Sequence, residues 1–317
     1  MGQYVVGRLA QSVVLLIFVS ILTFGLIHVA PGGPAVLLAP GMSSTQIAEA
    51  QKSLGLDDPL PVQYVRWLGH LVHGDLGKSY SQGLNVTTLI SKRLSVTLQL
   101  LFAALALSAV FGILIGVVSA MHRNSLIDHL ATGFSFFGMS VPTFWLGLML
   151  IILFSIKLHV LPSSGAQTLG EPLTVTDRLE HLLMPAIVLA VANLAQIARY
   201  TRSSMIEVLQ ADYLRTARAK GLRENSVIWR HALRNAMIPV ITVIALGIPR
   251  MVGGAAITES VFAWPGMGQL AVDSALQRDY PTIMGITMMV SVVVILTNFL
   301  TDLSYLLIDP RVKLNRG

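Results

Sequence analysis

The chain has 317 residues, of which 54% are hydrophobic and only 12% are charged. Because a soluble domain carries about 25% charged residues, this composition indicates an integral membrane protein. The net charge of +6 does not indicate a nucleic-acid-binding protein, since membrane proteins gather Lys and Arg in their cytoplasmic loops. The absence of cysteine excludes disulfides, thiol catalysis and metal sites with Cys ligands.

The first predicted span is an apolar run at residues 9–30. A cleaved signal peptide is the alternative interpretation. The run is long, however, and no small-x-small cleavage site closes it, so we interpret it as a retained span. Residues 31–94 follow as a polar external segment. We expect short amphipathic helices there, at residues 43–56 (SSTQIAEAQKSLGL) and 61–74 (PVQYVRWLGHLVHG).

Five further stretches approach the roughly 20 apolar residues that a helix needs to cross the hydrocarbon core. We predict an all-α membrane protein with six transmembrane helices. The fifth of these six helices, at residues 236–262, is expected to be broken by Pro249, Arg250 and the Gly253–Gly254 pair. The five stretches lie between Arg93 and Arg123, between Asp128 and Lys157, at residues 181–199, at residues 236–262, and between Asp279 and Asp302.

The distribution of Lys and Arg predicts that both termini are cytoplasmic. With that orientation, eight basic residues between Arg199 and Arg234 lie on the inner side, whereas the short outer loops carry few. The predicted organisation is a first transmembrane helix (1–30), an external segment (31–94), a five-helix core (95–308) and a cytoplasmic tail (309–317). The core includes a cytoplasmic segment at residues 200–235.

That cytoplasmic segment is too long for a tight turn, and its pattern predicts folded structure. Residues 205–220 are predicted to form a helix that ends at Gly221, because glycine adopts the left-handed conformation of a helix C-terminus. Asn225 or Ser226 is expected to cap a second helix through Trp229 and His231. Topology alone explains the positive charge but does not require this helix–turn–helix.

Two motifs resemble chemical sites without their context. Residues 73–80 (HGDLGKSY) approach a phosphate-binding loop, but the first glycine of that pattern is absent and the segment is external, away from ATP. His70 and His73 have the spacing of two metal ligands on a helix, with no evident third ligand. We therefore expect no catalytic, cofactor or metal site in this chain.

Ionisable residues inside a span are functional candidates by default. Arg250 is the basic residue nearest a span centre, and Glu259 lies towards the outer end of the same helix. A separation of nine residues places them on opposite sides of an ideal helix, so they do not pair. We name Arg250, Glu259, Asn193 and Gln196 as candidate pathway residues. The alternative for Arg250 is a structural charge that faces a partner or a cavity. For Glu259 it is an anchor at the interface or a hydrogen bond to a neighbouring helix.

Several segments together resemble one family of transporters. They are FGLIHVAPGGPA (24–35), LGLDDPLPVQYVRWLGHLVHGDLGKSY (54–80), SVPTFWLGLMLIILFS with LPSSG (140–165), ARYTRSSMIEVLQADYLRTARAKGL (198–222) and ESVFAWPGMGQL (259–270). In this order and spacing they resemble the permease subunits of ATP-binding-cassette (ABC) importers of the dipeptide/oligopeptide/nickel class, and most closely the first of that class's two permeases. The resemblance implies a type I importer permease fold.

The cytoplasmic segment resembles this family's EAA motif. Arg215, Thr216 and Ala217 stand at the E-A-A positions, Gly221 stands at the glycine, and Leu233 stands at the leucine of the I-x-L-P part that follows. The glutamate of the motif is replaced by Arg215, as is common in the peptide subgroup of this family, which shows R-T-A-x-A-K-G. The resemblance implies that this region forms coupling helices that dock in a groove of an ATPase subunit. The candidate coupling residues are Arg215, Thr216, Ala217, Ala219, Lys220, Gly221 and Leu222.

The same resemblance implies the partners and the mechanism. A second homologous permease, two ATP-binding subunits and an extracytoplasmic solute-binding protein are expected around this chain in the bacterial inner membrane. ATP and Mg²⁺ would bind to the ATPase subunits, with no cofactor in this one. A short peptide is the expected substrate. Nickel, glutathione or another small solute stays open, and a self-contained ion-coupled carrier is the alternative from another class.

Overall fold

The computed structural model of the protein describes residues 2–29, 57–172 and 174–308. Within these ranges the chain is helical, and its single β pairing is an isolated antiparallel bridge between Lys78 and Asn85. The all-α class predicted from the sequence is therefore confirmed. The amphipathic helix predicted at residues 43–56 and the tail at 309–317 lie outside the described residues.

The helices are numbered in chain order. Two of them contain π-helical segments: Ile151–Lys157 continues α5, and Val227–Ala232 lies near the start of α8. The helices are α1 (Gly2–Val29), α2 (Leu60–Val72), α3 (Val86–Met121), α4 (Leu126–Ser140), α5 (Thr143–Leu150), α6 (Val175–Leu209), α7 (Asp212–Ala219), α8 (Glu224–Val261), α9 (Met267–Leu276) and α10 (Tyr280–Ile308). The amphipathic helix predicted at residues 61–74 corresponds to α2.

Among the described residues, five helices, α1, α3, α6, α8 and α10, are long and apolar enough to cross a membrane. Helices α4 and α5, with the π continuation of α5, pass the same test together but are bent by 107° at the break between them. Counted as one span, this pair gives the six that the sequence predicts. The bend lies at Val141, which is extended (φ −71°, ψ 127°) because Pro142 disfavours helix in the residue before it.

Two predicted details of the helices are wrong. Helix α8 is not broken near Pro249: it continues as α-helix from Leu233 to Val261, with two prolines inside it. A proline removes one backbone hydrogen bond, which a packed membrane helix tolerates. The fourth predicted span, at residues 181–199, lies within the longer helix α6, which has 35 residues. The helix predicted at 205–220 is interrupted at Gln210 and Ala211, so that α6 and α7 are separate.

The chain folds as two compact units, the first of which comprises residues 1–97 and 265–296. In this unit Phe24 and Ile27 of α1 pack with Tyr280 and Met284 of α10. Aromatic rings from α2 and the following loop surround this cluster, with Phe24 and Tyr64 in an edge-to-face arrangement at 5.4 Å between ring centroids. Aromatic pairs of this kind add to the stabilisation that burial provides.

A buried carboxylate holds the loop after α2 in this first unit. Asp279 is fully buried and accepts hydrogen bonds from the hydroxyls of Ser79 (2.5 Å), Ser81 (2.8 Å) and Thr282 (2.9 Å) and from the backbone N–H of Tyr80 (3.0 Å). Burial raises the pKa of Asp279, but these hydrogen bonds outweigh burial and bring the pKa below its ordinary value.

The second unit comprises residues 98–264 and 297–317. Its helices approach closely where small residues meet. A Cβ atom on Gly116 of α3 would lie 2.6 Å from the carbonyl oxygen of Ala198 in α6. One on Gly247 of α8 would lie 2.8 Å from the Oδ1 atom of Asn193 in α6. Glycine is therefore required at Gly116 for α6 to lie against α3, whereas a larger residue at Gly247 would force the Asn193 side chain to move.

Candidate functional site

Helix α7 is anchored to the second unit by its apolar side. Leu214 is completely buried and Ala217 is 8% exposed. They share a core cluster with Val117, Ala120, Met205, Val227, Ile228, Ala232 and Ala236. The cluster takes residues from α3, α6, α7 and the start of α8, so it fixes the short helix against three long ones. Tyr213 in the same helix is 43% exposed.

Helix α7 ends at Ala219 and is closed by a Schellman turn at Gly221, the residue that the sequence predicts to stop the helix. The N–H of Leu222 donates to the carbonyl of Ala217 (3.3 Å), and the N–H of Gly221 donates to that of Arg218 (2.9 Å). Gly221 has φ +78°, a left-handed conformation that costs a residue with a Cβ atom about 1–2 kcal/mol. No atom lies within 4 Å of the place that its Cβ would take, so the turn stands open.

The chain re-enters a helix three residues after the turn. Helix α8 begins at Glu224, with Arg223 at the N-cap and no side-chain cap. The predicted capping by Asn225 or Ser226 is therefore wrong, since both residues are already helical. The second helix of the predicted helix–turn–helix is the start of α8 itself, and it leads without interruption into the fifth span.

The outward side of α7 and the turn is strongly basic. Arg215, Arg218, Lys220, Arg223 and Arg230 are all exposed. Arg218 is held across the turn by Glu224, with Nη2–Oε1 and Nε–Oε2 distances of 2.7 and 3.0 Å. This hydrogen bond raises the pKa of the Arg218 guanidinium above its ordinary value. Arg215 contacts Asp212 at 3.3 Å, but both are highly exposed and such a pair stabilises little.

The structure brings most of the predicted coupling residues onto one surface. Arg215, Thr216, Ala219, Lys220 and Leu222 are exposed around the Gly221 turn, and Ala217 is the buried exception. We call residues 215–223 the turn surface. It combines long, exposed cationic side chains with a backbone turn that has no neighbouring atoms around Gly221. Such a surface is suited to binding an acidic groove on another protein.

The four candidate pathway residues do not form one cluster. Arg250 is exposed, whereas Glu259 is completely buried, so the two occupy different faces of α8 as their spacing predicts. Asn193 and Gln196 are half-buried on α6. Asn193 lies against Gly247, which gives it a packing role between α6 and α8.

An ion pair beside this region was not predicted from the sequence. The carboxylate of Asp128 in α4 receives two hydrogen bonds from Arg202 in α6, at 2.6 and 2.7 Å. It also accepts from the Ser119 hydroxyl and from the backbone N–H of Asn124. The two charged residues are 74 positions apart, and only their places at the ends of apolar runs marked them as interfacial.

Comparison with known proteins decides the family. A family model described as binding-protein-dependent transport system inner membrane component matches residues 112–314, and the N-terminal model of the same system matches residues 1–101. The chain belongs to this family. As a member of it, the protein is a multi-pass component of the inner membrane, and its exposed apolar helices are in keeping with that location.

Curated relatives of this transport permease match along its whole length. It is 44% identical to the oligopeptide transport system permease protein AppB of Bacillus subtilis, over 99% of this chain and 100% of that protein. It is 39% identical to the dipeptide transport system permease protein DppB of Escherichia coli, over 99% of each. These identities place the permease in the DppB/OppB class.

Two solved structures share the permease fold at 17% identity. One is an amino acid ABC transporter with histidines, which has a TM-score of 0.51 over 69% of this chain and 94% of that one. The other is the inward-facing MetNI methionine ABC transporter, with a TM-score of 0.55 over 70% and 96%. The predicted importer permease fold is thereby confirmed.

Proposed function

We propose that this chain is a permease subunit of an ATP-driven peptide importer and that its turn surface docks on an ATPase subunit at the cytoplasmic face. The carrying observation is the turn surface itself: an open left-handed turn at Gly221, rimmed by cations and anchored from behind by Leu214. Its relatives AppB and DppB are named as oligopeptide and dipeptide permeases, which supports a peptide as the substrate class.

The proposed complex contains this chain, a second homologous permease, two ATP-binding subunits and an extracytoplasmic solute-binding protein. Both termini of this chain lie in the cytoplasm, as the Lys and Arg distribution predicts. ATP and Mg²⁺ are bound by the ATPase subunits, and this subunit contributes no catalytic residue. Among the described residues, no group of three or more His, Cys, Asp or Glu is placed to hold a metal ion.

Coupling follows from how α7 is attached. Motion of a docked ATPase is transmitted to α3, α6 and α8 together, because the buried cluster around Leu214 and Ala217 joins α7 to all three. ATP shifts the balance between inward-open and outward-open states only through contacts that differ between them. The turn surface supplies such contacts without taking part in the transport path itself.

The decisive experiment compares Gly221→Trp with Gly221→Asn in the reconstituted complex. Asparagine tolerates the left-handed conformation, whereas tryptophan adds bulk to a turn that has open space around it. We expect Gly221→Trp to insert in the membrane but to lose ATP-driven peptide uptake and ATPase co-purification. Gly221→Asn should retain most of both. Wild-type uptake by Gly221→Trp would disprove the docking assignment, and absence of peptide uptake by the wild-type complex would disprove the substrate assignment.

A further inference from the structure

Arg250 lies deep within the span formed by α8. It is 16 residues after Arg234 and 11 residues before Val261, the last residue of the helix. At 1.5 Å per residue these separations are roughly 24 Å and roughly 16 Å along the axis. The hydrocarbon core of a bilayer is about 30 Å thick. The Cα atom of Arg250 therefore lies in the central part of the apolar stretch between Arg234 and Val261, about one core half-thickness from its outer end.

The side chain of Arg250 is exposed and makes little contact with its own chain. Its Nε atom lies 3.5 Å from the carbonyl oxygen of Leu246, and no ion pair involves it within the described residues. Arg202 differs, because Asp128 neutralises it. An arginine facing lipid at this depth costs at least about 2.5 kcal/mol. Arg250 must instead face water or a polar partner.

The surface around Arg250 leaves room for a ligand. Leu246, Gly253, Ile257 and Ser260 are exposed at helical spacing on the same side of α8. A Cβ atom on Gly253 would have no neighbour within 4 Å, so the helix backbone is accessible one turn from the guanidinium. The opposite side of α8, with Gly247, Met251, Ala255 and Glu259, is buried against the rest of the second unit. Helix α8 therefore has one packed face and one exposed face, and Arg250 lies on the exposed face.

We propose that Arg250 binds the terminal carboxylate of the peptide substrate in the translocation path. This inference rests on the proposed function and adds a binding residue to it. A peptide entering the membrane carries a carboxylate that loses its hydration. The planar guanidinium offers two parallel N–H donors that match a carboxylate. A carboxylate side chain of the second permease could bind the guanidinium in the same way. We favour the substrate because the backbone around Gly253 is accessible, which suits a ligand that binds transiently.

The test uses the complete reconstituted transporter with two probes, trialanine and trialaninamide, which differ only in the terminal carboxylate. Affinity of the solute-binding protein for each probe is measured separately, and uptake is compared at equal receptor occupancy. We expect the wild type to favour trialanine by about tenfold or more, the effect of one charge-assisted hydrogen bond. Arg250→Gln should bring this ratio near one, and Arg250→Lys should retain part of it. Lys157→Gln, which removes an exposed cation at the end of the π segment after α5, is the control and should leave the ratio unchanged.

Two results would overturn the proposal. One is an unchanged trialanine-to-trialaninamide ratio in Arg250→Gln. The other is loss of the second permease from purified Arg250→Gln complexes, which would assign Arg250 to a subunit contact. Both are distinct from failure of the proposed function, in which the wild-type complex takes up neither probe.

Discussion

Asp128 and Arg202 form a two-point ion pair that joins α4 to α6 in the second unit. The Asp128 carboxylate is 4% exposed, whereas the Arg202 side chain is 30% exposed. Ser119 at the end of α3 donates to the same carboxylate, so three helices meet at one charge. Arg202 is three residues before Met205, which packs on α7. The pair therefore fixes the framework on which the turn surface is mounted.

We expect substitution of Arg202 to destabilise the protein more than substitution of Asp128. Arg202→Ala leaves a buried carboxylate without its cation and should lower the free energy of unfolding by about 3 kcal/mol or more. Asp128→Ala leaves an arginine that water partly reaches, so its effect should be smaller. Unfolding of the purified protein in detergent measures both. The double variant Asp128→Asn/Arg202→Gln should be more stable than Arg202→Ala, and equal stabilities would contradict this account.

Leu214 is expected to hold α7 in place. Leu214→Ala opens a cavity in a fully buried site, a change that typically costs about 2–5 kcal/mol. Because α7 has only eight residues, this loss should release the helix locally before the unit unfolds. Hydrogen exchange of amides 212–219 should accelerate. Leu179→Ala, at a position 58% exposed on α6, is the matched control and should leave that exchange unchanged.

The Asp279 network should make the first unit sensitive to acid. Since the pKa of Asp279 is lowered in the folded protein, the carboxylate contributes stability that is fully present above the ordinary value of about 3.9. That contribution is lost as the pH falls through the lower folded value. We expect the loop at residues 76–85 to loosen below about pH 4, which acid-stable protease digestion or hydrogen exchange would detect.

A substitution separates this effect from general acid unfolding. Asp279→Ala removes the acceptor of four hydrogen bonds and should loosen the same loop at neutral pH, where trypsin cleavage after Lys78 reports it. The control Asp273→Ala changes a carboxylate on the neighbouring helix α9. If Asp279→Ala and wild type are cleaved equally at pH 7, the network does not hold the loop.

The sequence predicts the spans well because crossing a membrane requires only length and apolar composition. It predicts the Gly221 stop for a similar reason, since a left-handed helix end favours one residue type. Interruptions inside helices are less predictable. Val141–Pro142 bends a span by 107°, whereas Pro249 leaves α8 intact. Both prolines lie in apolar stretches, so the sequence alone does not tell which of them ends a helix.

The ion pair of Asp128 and Arg202 illustrates the other limit. Each residue alone fits an interfacial charge at the end of a span. Only the tertiary approach of α4 to α6 brings the two together across 74 residues. Similarly, the break at Gln210–Ala211 between α6 and α7 has no proline or glycine to mark it. The chain turns there because Leu214 and Ala217 bury their side chains in the cluster with Met205.

Helix α8 begins at Glu224, directly after the Gly221 turn, and also carries Arg250. The 26 residues between them span roughly 39 Å of helix. A rigid tilt of α8 by about 10° about the turn would displace Arg250 by roughly 7 Å over that length. A small rotation at the membrane surface would therefore produce a large displacement deep within the span. The bending stiffness of α8 depends on the π segment at Val227–Ala232 and on the two prolines inside the helix.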